Sequence, residues 1–208
     1  MGSKNLKAVA VRGSGAIELA DGPRFMRVVD ELRQRILSTE TADLKRRVGS
    51  SDIFPIKQRT STLPYKNFQD FALPDETYAK LNQEEVQRKY RVRNIGYMGC
   101  PIGCGRYFWI DHGPYAGLAS EGYQYEALSD FAGKLAVTDP SSMVKMNAYC
   151  NQLGVDIDSA AGSIAWAMEC YQRGILKKED TDRLELEWGD VGVILELTRK
   201  IAYREGFG

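Results

Sequence analysis

The stretch DPSSMVKMNAYCNQLGVDIDSAAGSIAWAMECYQRG, residues 139–174, decides the class of fold. Asp139 is placed to cap a helix and Pro140 to occupy its first position, where a missing N–H breaks no hydrogen bond. Met143, Met146 and Tyr149 or Cys150 then recur at three-residue steps until Gly154, a residue suited to the left-handed conformation that ends helices. A second helix is expected from about Asp158 and Ser159, with Ile164, Ala165, Met168 and Tyr171 along it and a stop at Gly174. Asp190 opens a third, running through Val193, Ile194, Leu197 and Ile201 toward Gly206. Upstream, Asp21 precedes a run in which Phe25, Val28, Val29, Leu32 and Ile36 repeat at helical spacing through Leu37, and one face of it is expected to pack inward. The fold class that follows is mainly α, a multihelical domain.

Two stretches depart from this pattern. Leu6 to Val11 is a short apolar run bounded by Gly2-Ser3 and Gly13, the pattern of a strand. No second strand nearby offers a partner, and an unpaired strand leaves its N–H and C=O groups unsatisfied. Its sheet is therefore expected in sequence not present here, making it a short N-terminal β segment left over from a preceding β domain. From Thr39 to about Gln83 the chain is rich in Ser, Thr, Pro and charge, with Pro55, Pro64 and Pro74 too closely spaced for long elements. A long irregular segment is expected, of a kind that usually drapes over a neighbour or a ligand.

Of the 208 residues, 43% are hydrophobic and 27% charged, with 28 Lys and Arg against 28 Asp and Glu. That profile argues against wholesale disorder. The balanced charge gives no electrostatic reason to expect nucleic acid or an anionic membrane as a partner. The longest apolar runs fall short of the roughly 20 residues needed to cross a bilayer. The N-terminus also lacks the apolar run of a secretory signal, which gives a cytoplasmic expectation. Cys100, Cys104, Cys150 and Cys170 are accordingly expected as reduced thiols.

Three local patterns carry chemistry. Residues 99–106, Gly-Cys-Pro-Ile-Gly-Cys-Gly-Arg, hold Cys100 and Cys104 in a turn whose glycines let backbone amides point at sulfur, as iron-sulfur clusters and soft metals require. The same spacing suits two small semi-buried cysteines, or one half of a zinc site that would need a second ligand pair. Asn151 to Asp156 lies between two helices, where Asp156 can accept hydrogen bonds from the donor edge of a pterin-like ring or simply cap the second helix. Glu121 and Glu126 stand among aromatics that can desolvate a carboxyl, and Glu126 suits either acid–base work or an ordinary first helical turn. Tyr107, Phe108 and Trp109 are expected to form a strand or wall.

Taken together these residues resemble the aldehyde ferredoxin oxidoreductase family, from one end of the chain to the other. Residues 1–11 are similar to the segment that closes the family's N-terminal β domain. Residues 100–106 resemble the latter part of its C-x2-C-x3-C cluster loop, whose first cysteine position falls on Tyr97. Tyr123-Gln-Tyr125-Glu126 resembles its Gly-Pro-Glu-Tyr-Glu segment, and Asn151 to Asp156 its pterin-binding sequence, with Asn151 where Asp is frequent. Residues 200–208 resemble a segment that leads into further helices, so the chain is expected to be cut at both ends.

The resemblance implies that residues 1–13 are the terminal strand of an incomplete N-terminal β domain and 14–208 a helical cofactor-binding domain truncated at its C-terminus. It implies a tungsten or molybdenum bis-pterin, one pterin of which meets Asn151, Leu153, Gly154, Val155 and Asp156. It also implies a 4Fe-4S iron-sulfur cluster with Cys100 and Cys104 among its ligands, and Glu126 as the group assisting proton transfer near the metal. The activity implied is oxidation of aldehydes to carboxylic acids, with electrons passed through the cluster to ferredoxin. Expected partners are ferredoxin, the aldehyde substrate, the remaining domains of the same enzyme and a second copy in a homodimer. The fragment is expected to be inactive alone. Two alternatives are a related tungsten-pterin reductase acting on aryl thioesters, and a non-catalytic helical module whose Cys pair holds zinc or nothing.

Overall fold

Polar caps at Asp21, Thr39, Asn82, Asp139, Asp156 and Asp190 set where many of the helices begin. The computed structural model describes residues 4–208, so the first three residues of the expected 1–13 strand segment lie outside the described residues. The chain divides into two units, Met1–Ile36 and Leu37–Gly208.

In the first unit residues 6–14 form no strand with any of the described residues. Val9 and Val11 are 69% and 88% exposed. Helix α1 (Gly22–Leu37) follows, with Arg24 N–H donating to Asp21 Oδ1 at 2.9 Å. The expected inward face is not realised either, since none of the residues of α1 is buried. An apolar stripe orients a helix only where another surface covers it.

The second unit opens with α2 (Glu40–Val48), capped by Thr39 Oγ1 on Ala42 N–H. A 3-10 turn over Gly49–Ile53 leads into α3 (Phe54–Arg59), and α4 (Asp75–Lys80) and α5 (Gln83–Lys89) follow. The stretch 39–83, expected to be irregular, is thus largely short helices, with residues 60–74 the longest run free of helix. Pro55 stands in the first turn of α3 and Pro74 immediately before α4, so these prolines start helices rather than interrupt them. Phe54, Leu63, Leu73 and Leu81 bury their side chains and fix the segment to the core.

Three short strands come next, β1 (Arg91–Ile95), β2 (Gly105–Trp109) and β3 (Ala119–Glu121), antiparallel in that order. Val92 pairs with Phe108 and Asn94 with Arg106. The expected strand at Tyr107 to Trp109 is therefore present, whereas its two neighbours were not anticipated. After β3, α6 (Tyr125–Leu128) widens into a π-helical segment, Ser129–Lys134, whose first five residues are buried.

The C-terminal helices are α7 (Pro140–Leu153), α8 (Ile157–Gln172) and α9 (Val191–Tyr203). Helix α8 begins slightly earlier than expected because Asp156 is its cap. Phe131, Leu128, Met143, Met168 and Ile194 meet at the centre, each such burial contributing about 1.5–3 kcal/mol. The chain is mainly helical with a small antiparallel sheet, and no helix among the described residues is long and apolar enough to cross a membrane.

Gly133 shows how tightly this core is closed. A Cβ placed there would lie 2.2 Å from the carbonyl oxygen of Pro64, a backbone atom, while Gly133 C=O accepts from Lys66 N–H. Gly133→Ala is expected to lower unfolding free energy by about 1–3 kcal/mol. A urea midpoint equal to the parent's would mean that the 60–74 segment yields.

Candidate functional site

Gly154 adopts φ +69° at the end of α7, and the chain reverses into Val155 and Asp156. Asp156 Oδ2 then accepts the N–H of Ser159 at 2.9 Å, so the capping role weighed for this residue is realised. Hydrogen bonds from the Ser159 side chain and, next, from its backbone N–H hold the Asp156 carboxyl below the usual carboxylate range. Asp156 stands at the rim of a cavity of about 290 Å³.

Three pieces of chain wall this cavity: Gln124 and Glu126 at the start of α6, Asn147 and Asn151 on α7, and Val155, Asp156 and Asp158 at the junction of α7 with α8. The structure therefore brings Glu126, Asn151, Val155 and Asp156 together across widely separated sequence. Leu153, half-buried, and Gly154 stand outside the lining and shape the reversal. Glu126 is exposed to this space.

Asn147, Gln124 and Asp158 were not singled out from sequence. Asn147 lies one helical turn before Asn151 on the same face of α7, a spacing that could have found it. It is 6% exposed, and its Nδ2 donates to Glu121 C=O at 3.2 Å, tying α7 to β3. Gln124 is held by Ser50, whose Oγ donates to Gln124 Oε1 at 2.5 Å while accepting Tyr125 N–H at 2.9 Å. Nothing in the local sequence of either residue announces that pairing.

Cys100 and Cys104 sit on the loop 96–104 between β1 and β2. Gly99 and Gly103 take φ +78° and +67°, which lets the loop fold back on itself. The Cys100 thiol is exposed and faces the backbone N–H groups of Gly103 and Ile102, which push its pKa down. Cys104 is half-buried, with its carbonyl packed against Gly49. Tyr97 is 70% exposed on the same loop, and its carbonyl accepts Cys100 N–H.

Arg106 anchors the loop from behind. It is 4% exposed, and its Nη2 donates to Arg46 C=O at 2.6 Å and to Lys45 C=O at 3.2 Å. Arg46 in turn donates to Pro101 C=O at 3.2 Å. The thiol loop and the cavity are joined through the 3-10 turn: Gly49 touches Cys104, and the next residue, Ser50, holds Gln124 and Tyr125.

This arrangement fits one face of a larger metallocofactor site. Amides aimed at a thiol stabilise the thiolate that an iron-sulfur cluster requires, and Cys100 meets that condition. Asn151, Asp156 and Gln124 offer the amide and carboxylate groups that a pterin's nitrogen edge requires. Among the described residues no cluster of three or more His, Cys, Asp or Glu could hold a metal ion. Cys150, in contrast, is 3% exposed, and burial pushes its thiol up to about 11.

Residues 27–208 match the family model described as aldehyde ferredoxin oxidoreductase, domains 2 and 3. The chain is 37% identical to a tungsten-containing aldehyde ferredoxin oxidoreductase of Pyrococcus furiosus over all of its own length and 34% of that protein's. It is 33% identical to the protein of that name from Thermococcus kodakarensis, again over 100% of this chain and 34% of the relative. It is 31% identical to an aliphatic sulfonate oxidoreductase, WOR-like subunit, of Pyrococcus furiosus, over 100% of this chain and 33% of the relative. The chain spans about a third of the length of the curated relatives it matches.

The thiol geometry sets an order of reactivity. Cys100 is expected to be alkylated by iodoacetamide first, at a rate that levels off at lower pH than for a free cysteine, and Cys150 only on unfolding. Peptide mass mapping against time and pH checks this, and a plateau for Cys100 at the ordinary thiol pH would mean that the loop amides do not stabilise its thiolate.

Proposed function

The chain belongs to the aldehyde ferredoxin oxidoreductase family, and from that premise we propose that it forms the middle of an enzyme oxidising aldehydes to carboxylic acids and passing the electrons to ferredoxin. The observation that carries this reading is the single cavity shared by Glu126, Asn151 and Asp156, linked through Gly49 and Ser50 to the loop of Cys100 and Cys104. Relatives that are 37% and 33% identical are named as tungsten-containing enzymes of this activity.

When bound, a tungsten or molybdenum bis-pterin would supply the two-electron oxidation, and a 4Fe-4S cluster would supply the path for the electrons. The residues of this chain bind and orient. Asp156 keeps one carboxylate oxygen on Ser159 N–H and offers the other to a pterin N–H, while Asn151 offers its amide from the preceding turn. Cys100 and Cys104 would contribute two thiolates to the cluster. Val155 and the reversal at Leu153 and Gly154 hold these groups in register.

Converting an aldehyde and water into an acid releases two electrons and two protons, and the protons need a base near the reacting carbon. Glu126 faces the cavity and takes that role. Removing a positioned acid–base group typically lowers rate by 10²–10⁴, on the order of 3–5 kcal/mol of barrier.

The roles of Asp156 and Glu126 separate experimentally in the full-length protein. Asp156→Ala removes both cap and acceptor and is expected to reduce pterin occupancy with a stability loss of about 1 kcal/mol. Asp156→Ser keeps a capping oxygen, so it is expected to restore the stability and not the pterin. Glu126→Gln is expected to leave metal and pterin content normal and to lower turnover about 100-fold or more. Pterin content unchanged in both Asp156 variants would overturn the assignment.

A further inference from the structure

Asp130 is a carboxyl for which neither the core nor the proposed proton step accounts. It lies in the π-helical segment at 3% exposure, and Lys134 Nζ stands 2.6 Å from its Oδ1. Its Oδ2 is buried without a hydrogen-bond partner. Within hydrogen-bonding reach of Asp130 is the carboxylate of Asp158, in the first turn of α8, and Asp158 lines the cavity that holds Glu126.

Two ionised carboxylates are both acceptors, so between them there is no donor to satisfy the buried Oδ2, and at close range they repel. A single proton between them removes the repulsion and turns the contact into a charge-assisted hydrogen bond. The π-helical winding is a second sign, because π turns forfeit regular helical hydrogen bonding and recur where function needs a displaced side chain. We infer that Asp130 and Asp158 share one proton and form a proton-exchanging pair in the cavity wall, passing protons between the protein interior and Glu126. The pair itself stands on the geometry of this chain; its service to Glu126 rests on the proposed function.

The groups facing Asp130 are Lys134 from its own segment, Asp158 from α8 and Tyr125 from α6. Burial dominates and, with Asp158 adding to it, pushes Asp130 up to about 7 against the pull of Lys134. The proton resides on Asp130, the desolvated partner. Because the folded-state pKa is raised, the shared proton is present at lower pH and is lost as pH rises through about 7. A group in that range gives and takes protons with comparable ease at neutrality. Asp130 and Asp158 are positioning residues, acting on the reaction through Glu126.

The test is pH-difference infrared spectroscopy on the full-length enzyme, following the carbonyl stretch of protonated carboxyl groups. The expected result is a band that disappears as pH rises through about 7, is absent in Asp130→Asn, and in Asp158→Asn titrates about one pH unit or more lower. A band that persists in Asp130→Asn, or an unmoved midpoint in Asp158→Asn, would overturn the shared proton. Turnover gives the second arm: the pH profile of kcat should move to lower pH in Asp158→Asn by the same amount, with KM for aldehyde unchanged. A band that moves while the kcat profile stays put would overturn the relay to Glu126. If the parent enzyme loads its metal yet oxidises no aldehyde, the proposed function fails while the infrared result still decides the pair.

Discussion

The reversal between α7 and α8 is the constraint on which the candidate site depends. Gly154 supplies the left-handed residue and Asp156 the capping oxygen, and together they join two helices that bury Met143, Met146, Ile164 and Met168 in the core, where both pack against α6 and α9. With the reversal fixed, Asn147, Asn151, Asp156 and Asp158 face one space, although no two of them are neighbours in sequence. A cap is worth only about 1 kcal/mol, so the reversal is held chiefly by the core beneath it. Local geometry then chooses which polar groups are presented.

A second constraint is the buried guanidinium of Arg106. Its Nη and Nε groups donate to the carbonyls of Lys45, Arg46, Gly103 and Gly105 and to the side chain of Gln87. Removing a cation from water is costly, and burial pulls its pKa down. Several carbonyl acceptors offset that cost and leave the C-terminal carbonyls of α2 satisfied. The thiol loop is thereby locked against α2, and the 3-10 turn that follows α2 reaches the cavity through Ser50. Two sites that look unrelated along the chain thus share one structural joint.

Burial also sorts the ionisable groups by task. Cys100 and Asp156 are exposed, hydrogen-bonded by backbone amides and shifted toward their charged forms, which suits groups that hold a cationic or donor-rich partner. Asp130 and Cys150 are buried and shifted toward their neutral forms. The two directions follow from one rule, that a charge persists where dipoles or water meet it and is suppressed where they do not.

The helices α7, α8 and α9, with their caps at Asp139, Asp156 and Asp190, were legible in the sequence because capping and apolar spacing are local properties. The same holds for the paired thiols in a glycine-rich turn. Local signals do not suffice where stability comes from elsewhere: Leu6 to Val11 has the pattern of a strand but pairs with none of the described residues, and no residue of α1 is buried. They failed in the opposite sense over 39–83, where short helices form because Phe54, Leu63 and Leu81 bury into a core assembled from distant residues. Sequence by itself determined the elements that carry their own start and stop signals, and it named Glu126, Asn151, Asp156, Cys100 and Cys104. Only the tertiary structure decided that Glu126, Asn151 and Asp156 line one cavity with Asn147 and Asp158, and that Asp130 meets Asp158, since which groups face each other across a core is set by packing between helices and not by spacing within them.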